Sequence, residues 1–384
     1  MTDNRYRRLP VGIQSFKVIR EENYLYVDKS DIVWNMVNLG DKYNYLSRPR
    51  RFGKSVLVDT LEAYLEGRKD LFEGLKIMQM EKDWKHYPVI RLDMSRGGAS
   101  EDTLRSYLNL RFKDYEEKYN ITPDPTAMLA DRFHAIIATA YKQTGLRVAV
   151  LIDEYDSPLQ HSWRTPEHEK CTGVYREVFA ILKADDEYEH FVFITGITKF
   201  TQISLFSVLN NLSNISFTPE YAAICGITEE EIEENFMPEI RQMSEANNWS
   251  VQETHDRLKA YYDGYHFSRR NMVDVYNPYS LVNALKSKEI INFWASSGAT
   301  SLLPKFVDNA ELRISNFENI RIMRNTLELS DVSGGGAELF LYQSGYLTIK
   351  DSDEFGYILG FPNEEVKQAL YEEGKGLLDW KRAE

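Results

Sequence analysis

The sequence predicts an α/β protein: a parallel sheet flanked by helices in the first half, then a mostly helical second domain carrying a few short strands. Three observations lead there. Apolar segments at 43–47, 88–93, 147–153 and 190–195 alternate with stretches of helical spacing, and strands separated by helices build parallel sheets with right-handed crossovers. A basic turn, Ser47-Arg48-Pro49-Arg50-Arg51-Phe52-Gly53-Lys54-Ser55, joins the first of these strands to a helix. The third apolar run, Arg-Val-Ala-Val-Leu-Ile-Asp, ends in Asp153-Glu154.

Each element follows from its local pattern. Residues 43–47 are short and apolar, a first strand, and 55–66 have helical spacing. Residues 88–93 (Pro-Val-Ile-Arg-Leu-Asp) read as a second strand after a turn-rich approach through Trp84 and His86. Two helices are expected at 103–119 and 126–144, separated by the breaker Ile-Thr-Pro-Asp-Pro at 121–125. The continuous apolar run at 147–153 suits a strand buried on both faces. A helix at 174–185 and a fourth buried strand at 190–195 complete the sheet.

The pattern changes near residue 215, giving an expected division into 1–215 and 216–384. Thr228 is a plausible N-cap for a helix over 227–235, whose first turn is acidic. Residues 251–262 and 279–286 also read as helices. A Ser-Gly-Gly-Gly segment at 333–336 precedes 339–349 and 357–359, both expected as short strands.

Size and composition agree with two cores. The chain has 384 residues, 43% hydrophobic and 13% aromatic, too apolar for global disorder. Its net charge of −13 argues against a generally adhesive nucleic-acid binder. Two cysteines, Cys171 and Cys225, imply no disulfide framework. No apolar run approaches the roughly 18–20 residues of a membrane span, so a cytoplasmic protein is the expectation.

The chemistry is expected at the basic turn. Backbone N–H groups at a helix N-terminus face an anion, a lysine reaches the β- and γ-phosphates, and a hydroxyl completes a Mg²⁺ shell. Arg51-Phe52-Gly53-Lys54-Ser55-Val56 is therefore the candidate phosphate-binding segment of a P-loop. The usual pattern places glycine at position 48; this chain has Arg48, followed by Pro49, which lacks an N–H. Asp153 at the end of its strand suits water-mediated Mg²⁺ binding, shared with Ser55, and Glu154 suits polarising an attacking water. Both sites would lie at the carboxyl ends of parallel strands, where open α/β sheets bind ligands.

Other candidates leave two roles open. Thr195 and Thr198 either sense the γ-phosphate, with Lys199 adding charge, or satisfy backbone at a strand exit. Arg48, Arg50 and Arg51 either contact phosphate, in this chain or a neighbouring subunit, or pair with acidic residues at the domain boundary. His161 and His168 have no metal-ligand spacing and read as solvated. Glu373-Gly374-Lys375 resembles a nuclease E-x-K by chance, in a polar tail. The aromatic turn at 261–267 reads as a hairpin packing the second domain.

With these residues in hand, the chain resembles the bacterial AAA-ATPase-like family over nearly its whole length. The resemblance is carried by Leu9-Pro10-Val11-Gly12-Ile13-Gln14-Ser15-Phe16, by Tyr26-Val27-Asp28-Lys29-Ser30 and, most specifically, by Arg48-Pro49-Arg50-Arg51-Phe52-Gly53-Lys54-Ser55. It continues through Leu151-Ile152-Asp153-Glu154-Tyr155-Asp156, Thr195-Gly196-Ile197-Thr198-Lys199, Asp263-Gly264-Tyr265, Tyr276-Asn277-Pro278-Tyr279-Ser280 and Gly345-Tyr346-Leu347-Thr348-Ile349. The missing first glycine is then typical of the family. The resemblance implies a P-loop ATPase with residues 12–16 and Tyr26 over the adenine. Members of that family often carry a C-terminal PD-(D/E)XK nuclease-like domain; this sequence stops at Glu384, about where one is expected to begin, so nuclease activity is not carried over.

The expected function is Mg²⁺-dependent ATP binding and hydrolysis coupled to conformational change, with Lys54, Glu154 and Thr195 as catalytic candidates. The alternative is a nucleotide-gated scaffold with little turnover, recruiting protein or nucleic acid; a nucleotide kinase is a third reading. Family analogy alone suggests salt-sensitive DNA binding through the Arg48–Arg51 face, and oligomerisation stays open.

Overall fold

The computed structural model describes residues 8–124, 126–200, 211–296, 317–330 and 336–374. The chain forms two compact units, one of Ser30–Ser47 and Val58–Ile215, the other of Met1–Lys29, Arg48–Leu57 and Ser216–Glu384. The expected division meets this one at its cut after Ile215. It differs for the N-terminal residues and the basic loop, which group with 216–384.

The first unit holds a five-stranded sheet of β1 (Tyr43–Ser47), β2 (Val89–Asp93), β3 (Val148–Asp153), β4 (Glu189–Gly196) and β5 (Ser213–Asn214). Its order is β2-β3-β4-β1-β5, and every pairing is parallel. All six residues of β3 are buried, as its unbroken apolar sequence requires. The chain runs outward from β1 to the edge strand β2, then returns through β3 and β4. Such a reversal of direction is where open sheets bind ligands.

Helices α1 (Lys54–Leu65), α2 (Glu101–Lys118) and α3 (Leu129–Thr144) supply the crossovers. Ser100 and Thr103 close a capping box at the start of α2, and Gly145, at φ 70°, ends α3 in the left-handed conformation. Phe112 and Phe133 stack between these helices at 5.2 Å. The α3 start lies later than expected because Thr126 is held by Asp124, whose Oδ1 accepts its N–H (2.8 Å) and hydroxyl (2.7 Å) in a turn. After β3 come α4 (Ser157–Ser162) and α5 (Glu167–Phe179). The expected helix at 174–185 is thus the end of α5 plus a separate turn at Ile181–Ala184.

The second unit is built from α6 (Glu229–Asn235), α7 (Met237–Asn247), α8 (Val251–Tyr262), α9 (Pro278–Ser287), α10 (Gly336–Ser344) and α11 (Glu364–Gly374). A three-stranded antiparallel sheet of β6 (Ile320–Met323), β7 (Thr348–Ser352) and β8 (Gly356–Gly360) runs in the order β6-β8-β7. Thr228 caps α6: its hydroxyl accepts from Glu231 N–H while the Glu231 carboxylate accepts from Thr228 N–H. Phe236, Ile240, Met243, Leu258, Tyr262 and Leu281 share one core.

The expected strand over 339–349 is overturned. Its first part is α10, and only Thr348 onward is strand. A run buried on all sides carries no period that separates helix from strand. Gly345 ends the helix at φ 93°, and a Cβ there would fall 2.7 Å from Pro49 Cβ. Glu373 and Gly374 end α11, and Lys375 lies outside the described residues. Among the described residues, no helix is long and apolar enough to cross a membrane.

Candidate functional site

The basic loop is held from beneath by its own unit. Arg48, where the usual pattern has glycine, is 1% exposed. Its Nη1 and Nη2 donate to the carbonyls of Ser216 and Tyr221, each at 2.9 Å. Its guanidinium also lies 4.1 Å from the Phe267 ring centroid. Burial lowers its pKa from the ordinary arginine value. Arg48 is therefore an anchor, held by carbonyls and a ring, and leaves the expected phosphate- or DNA-facing set.

Phe52 is equally buried, edge-on to Tyr265 (4.7 Å) and Phe267 (5.4 Å). Tyr265 exchanges both backbone hydrogen bonds with Val275, so the aromatic turn is a hairpin floor under the loop. Between these anchors, Arg51 and Gly53 have φ of 69° and 86°, whereas Phe52 does not share that conformation. Alternation of this kind turns successive N–H groups toward one concavity, the geometry of an anion nest. Exposed Arg51 lies 4.8 Å over the Tyr279 ring. Lys54 is buried, and its Nζ donates to the Arg48 and Pro49 carbonyls at 2.9 Å each. Ser55 and Val56 follow in the first turn of α1, both partly exposed.

The strand ends form a second cluster, within the sheet unit. Register places Asp93 beside Asp153, Ile152 beside Ile194 and Thr195 beside Leu46, so Asp153, Thr195 and Leu46 are level across three strands. Asp153 is 3% exposed, and its Oδ1 accepts from Glu154 N–H at 2.9 Å. Glu154 is partly exposed and stands at φ 46°, unusual for a non-glycine residue. Tyr155 N–H donates to Thr195 O (3.0 Å) and Ser157 N–H to Glu154 O (3.0 Å), fixing the backbone on both sides.

Thr195 is fully buried, and its hydroxyl donates to Leu46 O at 2.8 Å. Of its two open roles, this structure displays the strand-exit one. Thr198 likewise turns inward. Asp156 Oδ2 accepts from Ile197 N–H (3.0 Å), Thr198 N–H (2.6 Å), the Thr198 hydroxyl (2.7 Å) and Gln160. The Tyr155 hydroxyl donates to Thr198 O at 2.9 Å and accepts from Phe200 N–H, while Tyr175 donates to Tyr155 O. Gly196 is required here, since a Cβ would fall 2.4 Å from Asp156 Oδ1. This latch was not legible as a site: Asp156 and Gln160 meet Thr198 across about 40 residues of sequence, and Tyr175 meets Tyr155 across 20.

Other expectations resolve simply. Phe16 is buried against Tyr26 (5.0 Å), so its ring belongs to the core rather than to an open adenine surface. His168 packs edge-on to Trp163 at 4.8 Å instead of being solvated, and burial lowers its pKa. Cys171 and Cys225 are free thiols. Among the described residues, no group of three or more His, Cys, Asp or Glu is arranged to hold a metal.

Comparison with known proteins decides the family. The family described as Predicted AAA-ATPase (AAA-ATPase-like) matches residues 10–206. A protein of Azotobacter chroococcum mcd 1, "Uncharacterized protein in vnfD 5'region", is 33% identical over 376 residues, covering 95% of this chain and 69% of that one. The chain belongs to the AAA-ATPase-like family. Among solved structures, the Aeropyrum pernix Orc1 protein in complex with DNA aligns at 14% identity over 89% of this chain and 90% of that one, with a TM-score of 0.30. Cdc6p from Pyrobaculum aerophilum aligns at 11% identity over 97% of each chain, with a TM-score of 0.27. Those two values are too low to carry a functional argument. Membership of the AAA-ATPase-like family, together with the parallel sheet, supports a nucleotide-binding ATPase.

Proposed function

We propose that the chain binds ATP with Mg²⁺ at the basic loop and hydrolyses it, with Glu154 orienting the attacking water. One observation carries this reading: Asp153-Glu154 ends a strand level with the exit of β1, from which the loop departs. With neighbouring strands about 4.8 Å apart, two strand spacings set roughly 10 Å between those strand ends. That span suits a metal-bound triphosphate.

The donor set fits Mg²⁺, which keeps several waters and takes one or two protein oxygens besides the phosphates. Asp153 and Ser55 would supply those oxygens, and the ion, when bound, neutralises phosphate charge. Lys54 releases its two loop carbonyls and turns to the β- and γ-phosphates. The amides of residues 51–56 face the phosphate oxygens, with the Phe52 side chain remaining in the floor. Glu154, held by its backbone bonds, presents its carboxylate to water. Thr195 ties β4 to β1 rather than touching nucleotide.

Phosphate release and nucleotide binding by wild type, Lys54→Ala and Glu154→Gln test this assignment. Lys54→Ala should lose binding; Glu154→Gln should keep binding and lose at least about 100-fold in turnover, as expected for a positioned base. Unchanged turnover in both variants would falsify it. The alternative, a nucleotide-gated scaffold, is favoured by the self-satisfied state of Lys54. Tight ATP binding without multiple turnover, even with partners added, would select that reading.

A further inference from the structure

The turn that carries Glu154 is fastened twice to the exit of β4, both times within the sheet unit. One fastening is backbone: Tyr155 N–H donates to Thr195 O at 3.0 Å. The other is the buried side chain of Asp156. Its Oδ2 alone accepts from Ile197 N–H, Thr198 N–H, the Thr198 hydroxyl and Gln160 Nε2. Gln160 Nε2 also donates to the Thr198 hydroxyl at 2.8 Å, which closes a ring of Asp156, Gln160 and Thr198.

The far side of the same segment is held as well. Thr198 O accepts from the hydroxyls of Tyr155 (2.9 Å) and Tyr45 (3.3 Å), and the Tyr155 hydroxyl accepts from Phe200 N–H at 3.0 Å. Tyr45 and Tyr155 meet edge to face at 5.6 Å. Residues 197, 198 and 200 are thus tied to the two residues that directly follow Glu154.

A buried carboxylate is costly to desolvate, and a set of donors this dense is what offsets the cost. What it secures is a strained turn. Glu154 stands at φ 46°, a region that an L-residue leaves when it is released. The peptide after Glu154 is bonded at both of its ends, to Ser157 N–H and to Thr195 O. Glu154 itself is partly exposed, whereas Asp156 is turned inward onto β4. Asp156 therefore touches no nucleotide, and its effect on chemistry passes through Glu154.

We propose that Asp156 is a positioning residue for hydrolysis: it fastens the Glu154 turn to the exit of β4 and so sets the direction from which the Glu154 carboxylate meets water. This rests on Glu154 being the residue that orients the water. Displacement of residues 197–198 then misdirects Glu154 without any change in the groups that bind ATP.

Single-turnover and steady-state phosphate release by the full chain test this, with ATP affinity and melting temperature measured on the same preparations. Asp156→Ala should lower kcat about 30-fold, as misplacement of a reacting group does, with ATP affinity within about twofold of wild type. Asp156→Asn, whose side-chain oxygen still accepts from residues 197 and 198, should recover most of that loss. Thr198→Val removes one hydroxyl from the ring and keeps its shape, and serves where Asp156→Ala does not fold. It should lower kcat about fivefold, as loss of one hydrogen bond predicts. Both effects should vanish in the Glu154→Gln background, because a residue acting through Glu154 adds nothing once that carboxylate is gone. Tyr43→Phe controls for plain loss of stability. Its buried hydroxyl meets Glu189 Oε2 at 2.7 Å at the other end of β1 and β4, so its removal should lower the melting temperature and leave kcat unchanged. Losses that multiply with Glu154→Gln overturn the proposal. Absence of phosphate release by wild type removes the hydrolysis reading and the proposal with it. Release that Glu154→Gln abolishes, with folded Asp156→Ala and Thr198→Val at the wild-type rate, removes the proposal alone.

Discussion

Glu154 shows how a single residue joins backbone strain to chemistry. Its φ of 46° places a side chain in a region costing roughly 1–2 kcal/mol for an L-residue. Neighbouring hydrogen bonds from Tyr155 N–H and Ser157 N–H hold it there. Glycine adopts that conformation without the penalty but adds unfolded-state freedom of about 0.5–1 kcal/mol. Glu154→Gly should therefore be as stable as wild type, or up to about 1 kcal/mol more stable. It should at the same time lose multiple turnover. Denaturant unfolding and phosphate release on one preparation check both halves. A clear loss of stability would mean that the side chain's contacts outweigh the strain and would remove this argument for a functional carboxylate. Arg48 shows the opposite case: a charge expected to face phosphate is buried on two carbonyls and a ring.

Among elements, the strands of the large sheet were the most legible, because a short apolar run bounded by turns has few other solutions. β1 coincides with its expected range, as does α8; α6 needed only its Thr228 cap and acidic first turn. α10 was misread because Leu339-Phe340-Leu341-Tyr342 is apolar throughout, and only Gly345 at positive φ reveals the stop. The Asp156 latch was out of reach, since a carboxylate's four partners cannot be read from local spacing. The docking of α11 is a further case. Its Glu365 is fully buried, and Oε1 accepts from Phe293 N–H (2.8 Å) and Trp294 N–H (3.0 Å). Desolvation pushes its pKa from 4.5 to about 7. A carboxyl raised in the folded state binds a proton that the unfolded state has released. Its contribution is thus complete below pH 4.5 and is lost as pH rises through about 7. Stability should fall across that window, and Glu365→Gln, which keeps the carbonyl acceptor, should flatten the curve by on the order of 3 kcal/mol at pH 8. Urea midpoints at pH 5 and pH 8 measure it; an unchanged slope in the variant would assign the dependence to other groups.

At the scale of the whole molecule, the discontinuous second unit was invisible to a reading that cuts a chain into consecutive domains. Residues 48–57 follow β1 directly and include the first turn of α1, yet they group with residues 216–384. Arg48 to Ser216 and Tyr221, Phe52 to Tyr265 and Phe267, and Pro49 beside Gly345 supply the physical reason. A nucleotide that orders the loop must therefore also order its floor. Ligand at about 100 times its dissociation constant adds roughly 2.7 kcal/mol to whatever structure binding requires. Amide exchange should accordingly slow in the hairpin at 265–275 and at 341–347, as well as in the loop, when ATP is added. Lys54→Ala should abolish the slowing at all three places together. Hydrogen exchange read by mass spectrometry, with and without ATP and Mg²⁺, separates the possibilities. Slowing confined to the loop would show that the floor is rigid already and that the anchors transmit nothing. Slowing at all three that disappears in Lys54→Ala would make residues 48–57 the element through which nucleotide occupancy acts on the second unit.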